Sequence, residues 1–416
     1  MTAHIAGVSM TPFRRRPEAT VKALTAEAVE DALKDAGLTI DDVDAVVFTT
    51  TMQGALEGQH AVAGQIAMRS LGFQRGPVLN VENACASGDT ALLLADQRVR
   101  AGDADVVLAV GVERMTVDKA GALAWFHGAW DVHEADATTA GLLALGADVL
   151  TPEGVEEPAP EAKSLFMDVY ASLSKFHMQR YGLTARQLAA VAAKDHRHSV
   201  ANTRAQYRRP FTTDEVLGAP TISWPITLPM CAPMTDGAAA AVVCSEATRR
   251  RLADPGRAVR IAAVELASGS DRAPEDLDHH LSVLASGRAY ERAGLGPEDV
   301  DVAEVHDATS FGEVLQTENL GLVPRGEGGA AAERGETTLG GRIPVNPSGG
   351  LVSKGHPIAA TGLAKTHELV TQLRGEAGER QVEGARVSIS QGGGGFYGIE
   401  DASTCVTILE AAVTPR

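Results

Sequence analysis

Ala36-Gly37-Leu38, followed by Asp42-Val43-Asp44, returns as Ala293-Gly294-Leu295 followed by Asp299-Val300-Asp301, in the same register and 257 residues further along. Each copy comes after a helical stretch, Thr25 to Lys34 in the first and Leu281 to Arg292 in the second. Each then uses glycine as a helix stop and leads into an extended apolar segment. A repeat of helix end, turn and strand start at so long an offset reads as two similar halves rather than a tandem array.

Outward from this pattern, Ala104 to Val110 (ADVVLAV) reads as a buried strand and Ala385 to Ser390 (ARVSIS) as its counterpart in the second half. Ala238 to Cys244 reads as a further strand closing the first half. Helices alternating with buried strands predict an α/β layered protein. Residues 118–215 have no repeat partner; they contain the Pro/Glu-rich Pro152 to Glu161 and a helical, aromatic-bearing Leu165 to Tyr181. This stretch is expected to be an inserted loop domain that shapes a substrate pocket, because loops on a rigid scaffold carry function. The predicted division is 1–117 with 216–258 as the first half, 118–215 as the loop domain and 259–416 as the second half.

With 44% apolar and 22% charged residues in 416, the composition is that of a folded globular chain, and aromatics at 4% leave Ala, Val and Leu to fill the core. A net charge of −17 argues against a general nucleic-acid surface, which needs basic patches. Arg14-Arg15-Arg16 reads as a solvated face. No apolar run approaches the ~20 residues that span a bilayer and no signal pattern opens the chain, so a cytoplasmic protein without membrane insertion is expected. Cys85, Cys231, Cys244 and Cys405 lack CxxC spacing and read as reduced thiols, one of them a candidate for reactivity, with no metal site expected.

Four segments carry chemistry. Asn83-Ala84-Cys85-Ala86-Ser87-Gly88 lies between extended Pro77 to Val81 and an Ala/Leu-rich helix starting near Asp89. A cysteine at a helix start is favoured as thiolate and is accessible among small neighbours, although a small buried cysteine packing beside alanine fits the segment equally well. In Asn346 to Pro357 (NPSGGLVSKGHP), His356 is held between Gly355 and Pro357 just before a helix, which suits a base and acid for a thiol. Glu304 to Thr309 (EVHDAT) places polar residues at the end of an apolar strand, where sites collect in α/β sheets. Gly392 to Gly395 follow the ARVSIS strand; they are either a flexible turn or a place where backbone approaches a ligand or supplies oxyanion N–H groups.

Together with Gly111 to Met115 (GVERM), Asp195 to Val200 (DHRHSV) and Cys231 to Ala240 (CAPMTDGAAA), these segments resemble the thiolase superfamily, most closely the sterol carrier protein type, over nearly the whole chain. The resemblance implies the duplicated five-layer αβαβα thiolase fold, a homodimer and coenzyme A thioesters as substrates, with no cofactor bound. Under it Cys85 takes the acyl group, His356 activates that thiol and His306 helps bind the thioester oxygen. Asp307, Ser353, Gly393 and Gly394 would contact substrate, and the inserted segment would form the pantetheine channel.

The chain departs from the family where a second proton-transfer cysteine is usual. Gln391 stands at the start of the Cys-x-Gly-Gly-Gly pattern, and Ala308 and Thr309 replace the Cys-Phe of the sterol carrier type. Glutamine is no acid or base, so thiolysis would fall by roughly 10²–10⁴ unless another group serves, with His306, Asp307 and Ser390 as nearby substitutes. Ala359 stands where the family's His-Pro loop carries glycine, and its methyl is expected to tighten the pocket. Three readings follow: an acyl-CoA C-acyltransferase; an atypical acyltransferase or aldol-cleaving subunit working with an OB-fold/zinc-ribbon acyl-CoA-binding partner; and a non-catalytic acyl-CoA or lipid-binding protein. Retention of Cys85, His356 and His306 together speaks against the third.

Overall fold

A computed structural model describes residues 2–159 and 164–412; Pro160 and Glu161 of the Pro/Glu-rich stretch lie outside them. The strands are β1 (Ala3–Met10), β2 (Ala45–Thr49), β3 (Val78–Val81), β4 (Val106–Arg114), β5 (Thr221–Ser223), β6 (Ile226–Thr227), β7 (Asp236–Ser245), β8 (Val259–Ser268), β9 (Val302–Glu304), β10 (Val387–Tyr397) and β11 (Glu400–Glu410). β5 and β6 form a small hairpin, and the other nine join in the order β3-β2-β4-β7-β1-β8-β11-β10-β9.

That order is a duplication written in strands. Outward from the central β1–β8 pair, the first half runs β1, β7, β4, β2, β3 and the second runs β8, β11, β10, β9. The place matching β3 is held by a single parallel bridge between Ala303 and Val345.

The repeated residues explain why both halves fold alike. Helices Val21–Ala36 and Leu281–Ala293 both end on a left-handed glycine, Gly37 at φ 68° and Gly294 at φ 71°, a conformation that glycine adopts without a Cβ penalty. The Asp42 carboxylate then accepts from Thr39 N, as the Asp299 carboxylate accepts from Gly296 N. The last aspartate of each motif ties its strand to the next: Asp44 accepts from Asp105 N and Val106 N, and Asp301 accepts from Arg386 N and Val387 N.

Helices Ser87–Ala101 and Thr361–Leu373 touch strands of both halves and share one core with them, including Leu92, Val99, Leu363 and Leu369 against Val107, Val243 and Ile261. The outer faces are covered by Val21–Ala36 on the first half and Leu281–Ala293 on the second, each with its own core. Five layers, αβαβα, result. Helix Leu165–Tyr181 forms over the span expected, and with Lys119–Trp125, Ala135–Ala144 and Ala185–His198 it belongs to the stretch without a repeat partner. Among the described residues no helix is long and apolar enough to cross a membrane.

Candidate active site

Cys85 lies in a tight turn, Ala84–Ala86, between β3 and the head of helix Ser87–Ala101. Ala84 is left-handed at φ 46°, an uncommon conformation for a residue with a Cβ and one that its surroundings, local hydrogen bonds among them, must hold. Those bonds are visible. Asn83 N donates to Ser87 Oγ, Ser87 Oγ donates to Ala84 O, and Asn83 Nδ2 donates to Thr90 Oγ1.

The glycines are not a loop after the strand, as one reading of the sequence had them, but part of β10, paired with β11 through Gly394. A Cβ on Gly394 would strike Asn83 O and lie 2.7 Å from Ala86 N and 3.0 Å from Cys85 N, so only a bare backbone lets the cysteine turn sit on the strand.

His356 is placed by a second loop. Asp307, fully buried, accepts from Leu351 N at 2.7 Å and Val352 N at 3.3 Å, fixing the start of helix Gly350–Lys354. Ser353 Oγ bonds with Ser199 Oγ, His196 Nδ1 and Tyr207 O; Lys354 Nζ donates to Glu304 and Ser348. Asp307 and Ser353, expected at the substrate, are thus buried in the scaffold of this loop and do not line the cavities described below. His356 N donates to Pro233 O, which is where the CAPMTDG stretch enters the site.

Thr361 Oγ1 lies 2.7 Å from His356 Nδ1 and 3.1 Å from Pro357 O. Its one proton goes to the carbonyl, so it accepts from Nδ1–H and leaves His356 Nε2 with a free lone pair. Burial first, then Lys365 and Lys354, bring the His356 pKa down to about 3, so the ring is neutral.

The sulfur of Cys85 and a ring nitrogen from each of His306 and His356 all lie within 4.8 Å of one another, and the two imidazoles meet edge to face at 5.1 Å. Three ligand atoms at that spacing are within reach of a metal ion, and they are also the set that thiol-based acyl transfer needs. The other such cluster, Asp195, Asp307 and Glu313, is bridged by the buried Lys194 ammonium on Asp195 and Glu313. His306 is buried with an unpartnered Nδ1, and burial holds it well below the usual imidazole range.

The expected thiolate character of Cys85 is not what its surroundings favour. Burial pushes its thiol up, the carboxylates of Asp401, Glu113 and Glu82 push the same way, and Lys365 opposes them. The helix start is present, but desolvation outweighs it.

Two cavities meet here. One of about 20 Å³ is lined by Cys85, His306, Gly393 to Gly395, Asp401 and aromatic rings. A neighbouring one of about 60 Å³ has a mainly apolar wall that includes Leu173, Phe311 and Leu315, with the buried Arg272–Glu400 pair at 2.6 Å. Tyr170, His306, Phe396 and Asp401 line both. The partition is aromatic: Phe166 stacks on Trp130 at 5.0 Å and tilts against Phe396 at 5.3 Å, bringing the inserted helix onto β10.

Gln391 does not face Cys85. It is buried and alternates with Gly392 along β10; its Oε1 accepts from His306 N at 3.2 Å and its Nε2 points toward Ser282 on the outer helix. Ala359 is buried, with its carbonyl packed against Gly88 and Gly111, and lines neither cavity, so the expected tightening by its methyl is not seen there. Sequence reasoning missed Asp401, Tyr170 and Thr361. The signal for Asp401 was an acidic Glu400-Asp401 opening an otherwise β-rich apolar strand right after a glycine turn.

In this arrangement the two halves give a thiol and an imidazole, Cys85 and His306, to one cavity. The chain belongs to the thiolase family: residues 3–222 match the thiolase N-terminal domain and residues 267–410 the thiolase C-terminal domain-like family. It is 37% identical to sterol carrier protein 2 of Bos taurus over 92% of this chain and 68% of that protein. It is 36% identical to an acetyl-CoA acetyltransferase of Methanothermobacter thermautotrophicus over 95% of this chain and 96% of that one. Among solved structures, one titled Ltp2-ChsH2(DUF35) aldolase superposes with a TM-score of 0.78 at 25% identity, covering 100% of this chain and 99% of its own.

Proposed function

We propose that this chain is an acyl-CoA C-acyltransferase of thiolase type that carries its acyl group as a thioester on Cys85. The observation behind this reading is the mutual 4.8 Å approach of Cys85, His306 and His356. His356 Nε2 takes the thiol proton as sulfur attacks, since the thiol is held protonated at rest, and His306 holds the thioester oxygen. Residues 118–215 act as a loop domain between halves 1–117 with 216–258 and 259–416, and their aromatic helix forms the wall along which the acyl-CoA enters. The working unit is a homodimer paired through β3, which lies half-exposed at the edge of the sheet.

A second reading has support from the solved aldolase, whose title couples a chain of this fold to a DUF35 partner. In it this chain is an atypical acyltransferase or an aldol-cleaving subunit that works with an OB-fold/zinc-ribbon acyl-CoA-binding partner. The reading as a non-catalytic lipid carrier is disfavoured by the assembled thiol–imidazole pair.

Intact-protein mass spectrometry after mixing with a panel of acyl-CoAs tests the proposal. An acyl mass on the Cys85 peptide, absent in Cys85→Ala, is expected; the same adduct persisting in Cys85→Ala would refute it.

A further inference from the structure

A carbon–carbon bond cannot be made or broken beside a thioester by Cys85 and His356 alone. The carbon next to the thioester carbonyl must lose or gain a proton, and a neutral glutamine turned toward Ser282 supplies none. The cavity wall does contain one group able to do so. Asp401, the second residue of β11, pairs in register with Phe396 across the strand turn, and lines both the Cys85 cavity and its neighbour together with His306 and Tyr170. Room for it is kept by Gly393, where a Cβ would strike its carboxylate. Thr404 Oγ1 donates to its Oδ2 at 3.3 Å, and among the described residues no arginine or lysine is bonded to it.

We propose that Asp401 is the second acid/base of this site, the carboxyl that exchanges the proton at the carbon next to the thioester carbonyl. The inference rests on the acyl-enzyme reading above. In cleavage, the Cys85 proton passes to His356 Nε2 and sulfur bonds to the 3-keto carbon. The bond from that carbon to C2 breaks, and C2 takes the Asp401 proton. The thiol of incoming coenzyme A then gives its proton to the Asp401 carboxylate and its sulfur bonds to the acyl carbon. The bond to Cys85 breaks, and the proton on His356 returns to the Cys85 sulfur. Condensation is the reverse, with Asp401 as the base.

The surroundings poise the group for both directions. Burial, chiefly, and Glu400 push its pKa up, the Thr404 hydrogen bond and Lys365 oppose, and it settles at about 7, where acid and base forms coexist at neutral pH. The titratable groups that face it are Cys85 from the turn, Tyr170 and His177 from helix Leu165–Tyr181, and His306 beyond β9. Lys365 faces it from the central helix, Glu400 from its own strand, and Arg272 and His280 across the second cavity. The Cys85 and Tyr170 pKa values are pushed up and those of His306, His280 and Glu400 down, away from neutrality.

The test is exchange of the acetyl hydrogens of acetyl-CoA into D2O by the acylated full-length protein, followed by proton NMR, beside the end-point of Cys85 acylation. Asp401→Asn should load Cys85 more slowly, since Asp401 also protonates the departing coenzyme A, and exchange per acylated site should fall by ~10²–10⁴. Exchange in the acylated Asn variant within tenfold of wild type would overturn the assignment. A measurement needing no variant at Asp401 stands beside it: wild-type exchange should rise with pH through about 7 and level off above, because the carboxylate is the base. The same profile should appear in His177→Gln. A flat profile from pH 6 to 8, or an acylated wild type that exchanges nothing, would overturn the proposal. Wild type that never acylates would instead remove the acyl-enzyme reading, so the two failures are distinct.

Discussion

Burial and the carboxylates of Asp401, Glu113 and Glu82 push the Cys85 thiol up, so in the proposed acyl transfer it sheds its proton in the act of attack and what matters is which nitrogen of His356 is ready. Thr361 decides that by accepting from Nδ1–H. Thr361→Val leaves the ring free to turn and should slow Cys85 acylation about 10–100-fold, the scale on which a misdirected group costs rate, whereas Thr361→Ser should stay near wild type. Quenched-flow mass spectrometry would read both. Gln391→Cys, which sequence alone makes the natural repair, should give no gain in thiolysis, because position 391 faces Ser282 and the His306 backbone; a clear gain in a coupled thiolysis assay would contradict that placement. Cys85, His356 and His306 were legible because their neighbours are unusual: small residues around the thiol, Gly and Pro clamping one imidazole, an acid beside the other. Asp401 was not legible as a site residue. Its position depends on a strand pairing that brings it to a cysteine far away in sequence, and linear spacing says nothing of that.

At the scale of elements, the Cys85 and His356 turns are held by close backbone contact and by histidines that stay neutral. Gly394→Ala would push a methyl into the backbone of Asn83 and Ala86. It should destabilise the fold by about 1–3 kcal/mol in denaturant titration and slow Cys85 acylation at least as much as any nearby change that leaves the turn in place. His198 ties the His356 loop to the Thr338–Leu339 turn: Nδ1 donates to Asn346 O while Nε2 accepts from Leu339 N. Burial first, then Lys194, brings its pKa from 6.5 to about 3. The unfolded chain therefore binds the extra proton between those values. The contribution of His198 is complete above pH 6.5 and is lost as pH falls toward 3, by up to ~1.4 kcal/mol per pH unit. His198→Gln should flatten the dependence of Tm on pH between 6.5 and 4 relative to the parent; an unchanged slope would show that the imidazole is not held neutral. Helix ends and strand starts were readable because Gly and Asp do the same work in both copies. The far end of β10 was not, since four glycines look like a turn until a partner strand supplies the hydrogen bonds that make them strand.

At the scale of the molecule, light scattering at micromolar concentration should give twice the 43.3 kDa chain mass, from pairing along β3, and a 43.3 kDa particle would count against it. The two similar halves were legible in one repeated hexad of residues, and the layered α/β class in the alternation of helices with buried strands, because each half must bury both faces of its sheet. The strand order, mirrored about β1 and β8, was not, for it is fixed by which edges meet, and those edges meet over only two residue pairs, His4 with Arg260 and Ile5 with Val259. That mirror has a further meaning. The head of helix Ser87–Ala101 and the head of helix Thr361–Leu373 occupy the same station in the two copies and touch: Gly88 faces Ala359 and Gly362 faces Asp89. One copy brings the Cys85 turn there and the other the turn that follows His356. The cluster of one thiol and two imidazoles is thus divided between the copies, and neither half of this chain holds it alone.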